Sequence, residues 1–226
     1  MTIGTSPPLP TFTFQLPVWF DLGATFAFGL TGALAAIKRG YDVVGVFFLA
    51  LASGIGGGLI RDGVFIPGGA ATPLLTDPRY IEMILGATLA GAAFGRHVKK
   101  MRRLIALIEA VGLGAYAAFG TEKALGAGLA VPAAILVGVI NASGGGLLRD
   151  IITREEPLVF KPGQFYVLTA LAGAVVFVFL TVRLGVHATP AAIAAIAVTF
   201  IFRALTITFN WRTTRVGDVG DEDVLP

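Results

Sequence analysis

The chain has 226 residues, of which 55% are apolar and 14% charged, with a formal net charge of +3, no cysteine and a mean hydropathy of +0.82. An ordinary soluble domain carries roughly 25% charged residues, so the composition is that of a membrane protein, and the missing cysteines exclude disulfides and thiolate metal sites. His97 and His187 stand near predicted span ends without ligand spacing, no nucleophile and base are paired, and neither a metal, a cofactor nor an enzyme is expected.

The proline-rich residues 1–16 read as a polar lead-in and not as a cleaved signal peptide. Apolar windows of about 20 residues, matched to a hydrocarbon core of roughly 30 Å, then follow in order. The first, 18–37, opens near Asp21; the second, 43–60, carries Ser53 and the run Gly56, Gly57, Gly58, with Arg61 and Asp62 just beyond. The third, 80–95, is short and leads into the basic "GRHVKKMRR", read as a topology signal lying against anionic lipid and not as a nucleic-acid site. The fourth, 104–119, is also short, opens near Glu109 and contains Tyr116. After it "FGTEKALGAG" puts Lys123 either in a segment dipping back into the protein or in an exposed loop. The fifth, 131–148, carries Asn141, Ser143 and Gly144, Gly145, Gly146, followed by Arg149 and Asp150. The sixth covers 165–182. The seventh, 190–209, has Arg203 well inside it, where a charge needs a partner, a water-filled space or the headgroups. Tyr41 and Tyr166 read as interface or packing aromatics, and Tyr116 as the one tyrosine to consider for a pore.

A shift of 88 positions places Gly56–Gly58 on Gly144–Gly146, Arg61 on Arg149, Asp62 on Asp150, Asp21 on Glu109 and Gly32 on Gly120. The chain is therefore two copies of one unit. Each copy spans three times, so the second lies upside down relative to the first, an inverted repeat completed by an unmatched seventh helix. The expected architecture is an all-α membrane protein of seven transmembrane helices. Its segments are a lead-in at 1–16, a first repeat at 17–98, a second, inverted repeat at 103–184, the seventh helix at 189–211 and a tail at 212–226. Twelve Lys and Arg residues (Lys38, Arg39, Arg96, Lys99, Lys100, Arg102, Arg103, Arg149, Arg154, Lys161, Arg212, Arg215) collect on one side against four on the other (Arg61, Arg79, Lys123, Arg183). The positive side faces the cytoplasm, which puts the N-terminus outside and the C-terminus inside a cell membrane.

Glycine within a helix costs about 1 kcal/mol relative to alanine, so three in a row prepare a helix to bend or unwind. Backbone freed in this way is tolerated in a membrane only where protein buries it or water fills a cavity. Paired glycine-weakened spans in inverted halves thus point to a polar pathway between them, with Ser53, Asn141 and Ser143 supplying oxygens for a desolvated cation. Asp62 and Asp150 would draw cations to its mouths. The competing reading is close helix packing at small-x-x-x-small spacings, Gly54 with Gly58 and Ala142 with Gly146. For Arg61 and Arg149 the plain expectation is interfacial anchoring.

"FAFGLTGALAAIKRGYDVVG", "GIGGGLIRD" and "GGGLLRD", within seven spans from about Phe20 to Trp211, resemble the prokaryotic trimeric intracellular cation channels. The resemblance implies a homotrimer in membrane lipid with one pathway inside each protomer. It further implies conduction of potassium and sodium, and gating at bends in the second and fifth helices, at Gly56–Gly58 and Gly144–Gly146. The Lys-Glu-Val triplet of the animal members is absent, so their phosphoinositide control does not carry over. The same sequence domain is also labelled a glycine transporter. Lys123 and Arg203 are the cations that could meet an amino-acid carboxylate, and secondary transport of a small amino acid such as glycine is the alternative.

Overall fold

The computed structural model describes residues 16–66, 73–95, 102–161 and 165–211. The basic residues Arg96, His97, Lys99 and Lys100, the tail with Arg212 and Arg215, and nearly all of the lead-in lie outside the described residues. Every regular element described is helical: α1 Trp19–Lys38, α2 Val43–Ile60, α3 Pro78–Phe94, α4 Arg102–Gly126, α5 Val131–Ile152, α6 Tyr166–Val178 and α7 Ala188–Thr208, with a single extra turn at Pro73–Thr76. One wider, π-helical turn prolongs α2 over Arg61–Phe65 and another prolongs α6 over Phe179–Arg183. Six of the seven long helices, with their extensions, are long and apolar enough to cross a membrane; α3, at 17 residues, is the short one.

Local chemistry sets the ends. Asp42 accepts from the Gly45 amide and Asp77 from that of Arg79, capping α2 and α3. Gly40 and Gly128, 88 positions apart, carry φ of 76° and 82° and close α1 and α4 in the left-handed conformation that only glycine adopts cheaply. The fourth span departs from expectation. It was expected to be short and to end at 119, but α4 is the longest helix at 25 residues. Its polar end continues the helix because each side chain finds a partner: Thr121 on the Ala117 carbonyl, Glu122 on the Leu16 amide and Lys123 on Asp62. Lys123 is thus neither in a re-entrant segment nor in a loop.

The halves α1–α3 and α4–α6 run antiparallel to one another, as an inverted repeat requires. The end of α1 meets the end of α5 through Arg39 and Glu155 at 2.8 Å, and the end of α2 meets the end of α4 through Asp62 and Lys123 at 2.9 Å. We call the face where α1 begins the first face and the face where it ends the second. Phe28 on α1 and Tyr116 on α4, again 88 apart, stack with ring centroids 5.5 Å apart and join the halves through the core. The unmatched α7 fits against notches in the second half: a Cβ on Gly114 would lie 2.8 Å from the Ile196 Cα, and one on Gly173 would lie 2.2 Å from the Thr199 hydroxyl.

Candidate functional site

The two glycine triplets meet each other. A Cβ on Gly57 would stand 2.0 Å from the Asn141 carbonyl oxygen, and one on Gly145 would stand 2.0 Å from that of Ser53. Ser53 and Asn141 are equivalent under the shift of 88, as are Gly57 and Gly145, so the contact is made twice about a pseudo-two-fold axis. Each carbonyl lies where a glycine α-hydrogen points, the geometry of the Cα–H···O contacts found between closely crossing helices. The remaining glycines have distinct neighbours: Gly144 faces Gly57, Gly56 faces the Leu148 side chain, and Gly146 faces Tyr166, Glu109 and Arg149. Gly58 is buried with them. Both triplets lie inside continuous α-helix, so neither is unwound; on α2 a departure from α geometry comes one step later, at Arg61–Phe65.

At the first face, Arg61 is fully buried and its guanidinium makes two bonds to the Asp62 carboxylate, Nε at 2.6 Å and Nη2 at 2.9 Å. Its Nη1 lies 3.6 Å from Asp21 and donates to the Asn141 side-chain oxygen at 3.3 Å, and the group covers the Phe119 ring at 5.4 Å. Tyr80 donates to Asp21, and Lys123 binds both oxygens of Asp62, at 3.0 and 2.9 Å.

At the second face Arg149 repeats the pattern. It donates to Glu109 at 3.1 Å, to Asp150 at 2.9 Å and to the Thr31 hydroxyl at 3.1 Å. Thr31 and Phe119 are equivalent positions, so each arginine reaches across to the first helix of the other half. Tyr166 donates to Glu109 at 3.3 Å, and Arg203 lies over the Tyr166 ring at 5.3 Å. The arginines are therefore buried members of acid–arginine–aspartate clusters and not the interfacial anchors expected of them. Buried charges of this kind persist only where partnered.

A cavity of about 590 Å³ opens at the second face and is lined by Thr31, Lys38, Arg39, Glu109, Arg149 and Asp150, among others. It runs along α1 from Arg39 to Thr31, about 12 Å at the helical rise. Its inner end carries Glu109 and Asp150 against Arg149, and its rim Lys38, Arg39 and Lys161 against Glu155 and Glu156. Arg39 holds the Glu155 carboxyl below the usual glutamate range, chiefly by its hydrogen bond, with Lys38 adding charge. No lysine matches Lys123 at this face, since the equivalent position is Ala35.

The other expected site residues are placed as follows. Ser53 is buried and its hydroxyl oxygen has no hydrogen-bond partner among the described residues. Asn141 accepts from Arg61 and donates to the Tyr116 carbonyl. Ser143 turns back onto the Val139 carbonyl. Tyr116 lies in the core, its hydroxyl against Thr25 and the Gly54 carbonyl. Tyr80, Thr31 and Glu122 escaped sequence reasoning. For Thr31 a signal existed, its equivalence to Phe119 under the repeat; for Tyr80 there was none.

The family model described as "Glycine transporter" matches the chain twice, over residues 18–96 and 106–182, two matches beginning 88 positions apart. A UPF0126 membrane protein of Deinococcus radiodurans is 34% identical over 158 residues, 69% of this chain and 72% of its own. The crystal structure of the TRIC trimeric intracellular cation channel orthologue from Rhodobacter sphaeroides is 32% identical, with a TM-score of 0.78, over 85% of this chain and 97% of that one. The chain belongs to the TRIC channel family. A second TRIC cation channel structure, 33% identical with a TM-score of 0.75, covers 87% of this chain and 95% of its own. The TRIC likeness covers 85% of this chain, and the glycine-transporter model matches its two repeats. A multi-pass membrane protein with a channel fold follows from these matches and the apolar helices.

Proposed function

We propose that the chain conducts monovalent cations, potassium and sodium, along a pathway inside each protomer of a homotrimer. The route runs from the second-face cavity past Arg149, through the level of Ser53 and Asn141 at the glycine crossing, to Arg61, Asp62 and Lys123. The observation that carries this reading is the pair of buried acid–arginine–aspartate clusters at opposite faces, each arginine reaching into the other half. A polar line through a membrane protein is otherwise too costly to persist. The buried Ser53 hydroxyl, without a hydrogen-bond partner among the described residues, adds a ligand at the depth where the halves meet.

On this reading Arg61, fully buried across the route, and Lys123, fastening Asp62, hold the pathway closed. Opening requires Arg61 to withdraw, and α2 and α5 turn against each other at the glycine crossing to allow it. The second face is cytoplasmic, by the excess of Lys and Arg there. The relatives named TRIC channels support both the cation selectivity and the trimer.

Planar-bilayer recording of purified protein in a KCl gradient tests this. Discrete ohmic steps reversing near the potassium equilibrium potential are expected, and reversal near the chloride value refutes it. The polarity of the cavity, acid-rich within and base-rich at the rim, favours a second reading: capture of a zwitterion, amino group inward, by a secondary transporter. Saturable glycine uptake into liposomes without ohmic steps would select that reading.

A further inference from the structure

Two neighbours on the last turn of α4 hold the two helices that carry the first-face cluster. Lys123 binds Asp62 at the end of α2, while Glu122 accepts a hydrogen bond from the Leu16 amide, at 3.3 Å, just before α1 begins. One turn into α1 stands Asp21, bonded by Tyr80 and 3.6 Å from Arg61. Leu16 is seated as well as bonded, its side chain buried with Ala118, Phe177, Ala188 and Ala191, so the chain entering α1 is pinned against α4, α6 and α7. α4 belongs to one half and α1 and α2 to the other. Any separation of the halves at this face therefore breaks both ties together.

We infer that Glu122 is a positioning residue for the first-face gate: through the Leu16 amide it fastens the start of α1, and with it Asp21, in the closed arrangement, as Lys123 fastens Asp62. The same turn packs Ala124 and Leu125 against Phe65 and Ile66 at the end of α2 and against Val178 and Val182 of α6. It is thus where three helices ending or beginning at this face are held. At the second face the halves are tied differently, by Arg39 past the end of α1 holding Glu155 past the end of α5 at 2.8 Å. The positions equivalent to Glu122 and Lys123 are Leu34 and Ala35, both lining the open cavity. The same pair of positions ties the halves where it is Glu-Lys and lines a cavity where it is Leu-Ala.

The inference rests on the gate reading above, and its test uses two readouts so that the two can fail separately. The chain contains no cysteine, so Gly63→Cys and Gly126→Cys, both exposed at the first face with nothing within 4 Å of their Cβ positions, accept spin labels cleanly for pulsed distance measurements. Glu122→Met keeps the volume but loses the acceptor, whereas Glu122→Gln loses the charge and keeps an acceptor oxygen. Loss of one buried hydrogen bond shifts a two-state equilibrium by roughly two- to tenfold. Glu122→Met is therefore expected to enlarge a longer-distance population and raise open probability by about that factor, and Glu122→Gln to stay near wild type in both. Wild-type distances in Glu122→Met, or Glu122→Gln behaving like Glu122→Met, overturn the inference. So does assembly failing in Glu122→Met while Glu122→Gln assembles, which marks a structural role. Distances that shift as expected without ohmic current in any variant, wild type included, keep the clamp and refute the channel.

Discussion

Replacing Gly57 or Gly145 by alanine puts a methyl 2.0 Å from a backbone carbonyl oxygen, Asn141 in the first case and Ser53 in the second. A carbonyl in a helix cannot swing aside as a side chain can, so the helices themselves must part. Ordinary contact begins at 3.4 Å, which requires a local separation of about 1.4 Å at the crossing. Overpacking of this kind costs about 1–3 kcal/mol, and a backbone obstacle belongs at the upper end; the better helix propensity of alanine returns about 1 kcal/mol. A net loss of about 2 kcal/mol follows, equivalent to a fall of about 4–8 °C in the unfolding midpoint by the scaling for chains of this size. Because the contact is pseudo-symmetric, the two variants should lose similar amounts. Gly23, which has nothing within 4 Å of its Cβ position, supplies the control: Gly23→Ala should leave the midpoint unchanged or raise it. Trimer melting followed by size-exclusion chromatography measures all three. Trimers of Gly57→Ala and Gly145→Ala that melt with wild type would refute the crossing argument, and if their gating alone were altered, a bending role for the glycines would be restored.

Lys123→Ala removes the ammonium that binds both Asp62 oxygens and so leaves more negative charge at the first-face mouth; single-channel recording should show higher cation open probability, and an unchanged value would remove Lys123 from the gate. Glu155 has a folded-state pKa lowered by Arg39, so the stability it lends to the second-face loop is present above its usual value of 4.5 and is lost as pH falls through the lowered one. Hydrogen exchange in residues 153–161 should therefore rise below that range, by a small factor because the pair is half exposed, and Glu155→Gln should show the raised exchange at neutral pH. A reporter fused after Pro226 should be cytoplasmic; an extracytoplasmic signal would reverse the assignment of the two faces.

The repeat, the span order and the inversion were legible in the sequence because they rest on chemistry that is linear in the chain. Apolar length sets a span, and Gly-Gly-Gly-x-x-Arg-Asp recurring 88 residues on after three spans sets a second unit upside down. Asp21 and Glu109 could likewise be marked as charges in need of partners, but not paired, and Arg61 and Arg149 read as interfacial, since a charge shows neither its depth nor its partner until the helices are packed. Tertiary structure decided that Arg61 lies against Phe119 and Arg149 against Thr31, and that α4 continues past Phe119 because Thr121, Glu122 and Lys123 each find an acceptor or donor. It also decided where the glycines lie. Read along the chain, three glycines signal a weak helix; set against a second triplet, they remove the side chains that would keep two backbones apart, and both helices run on through the crossing.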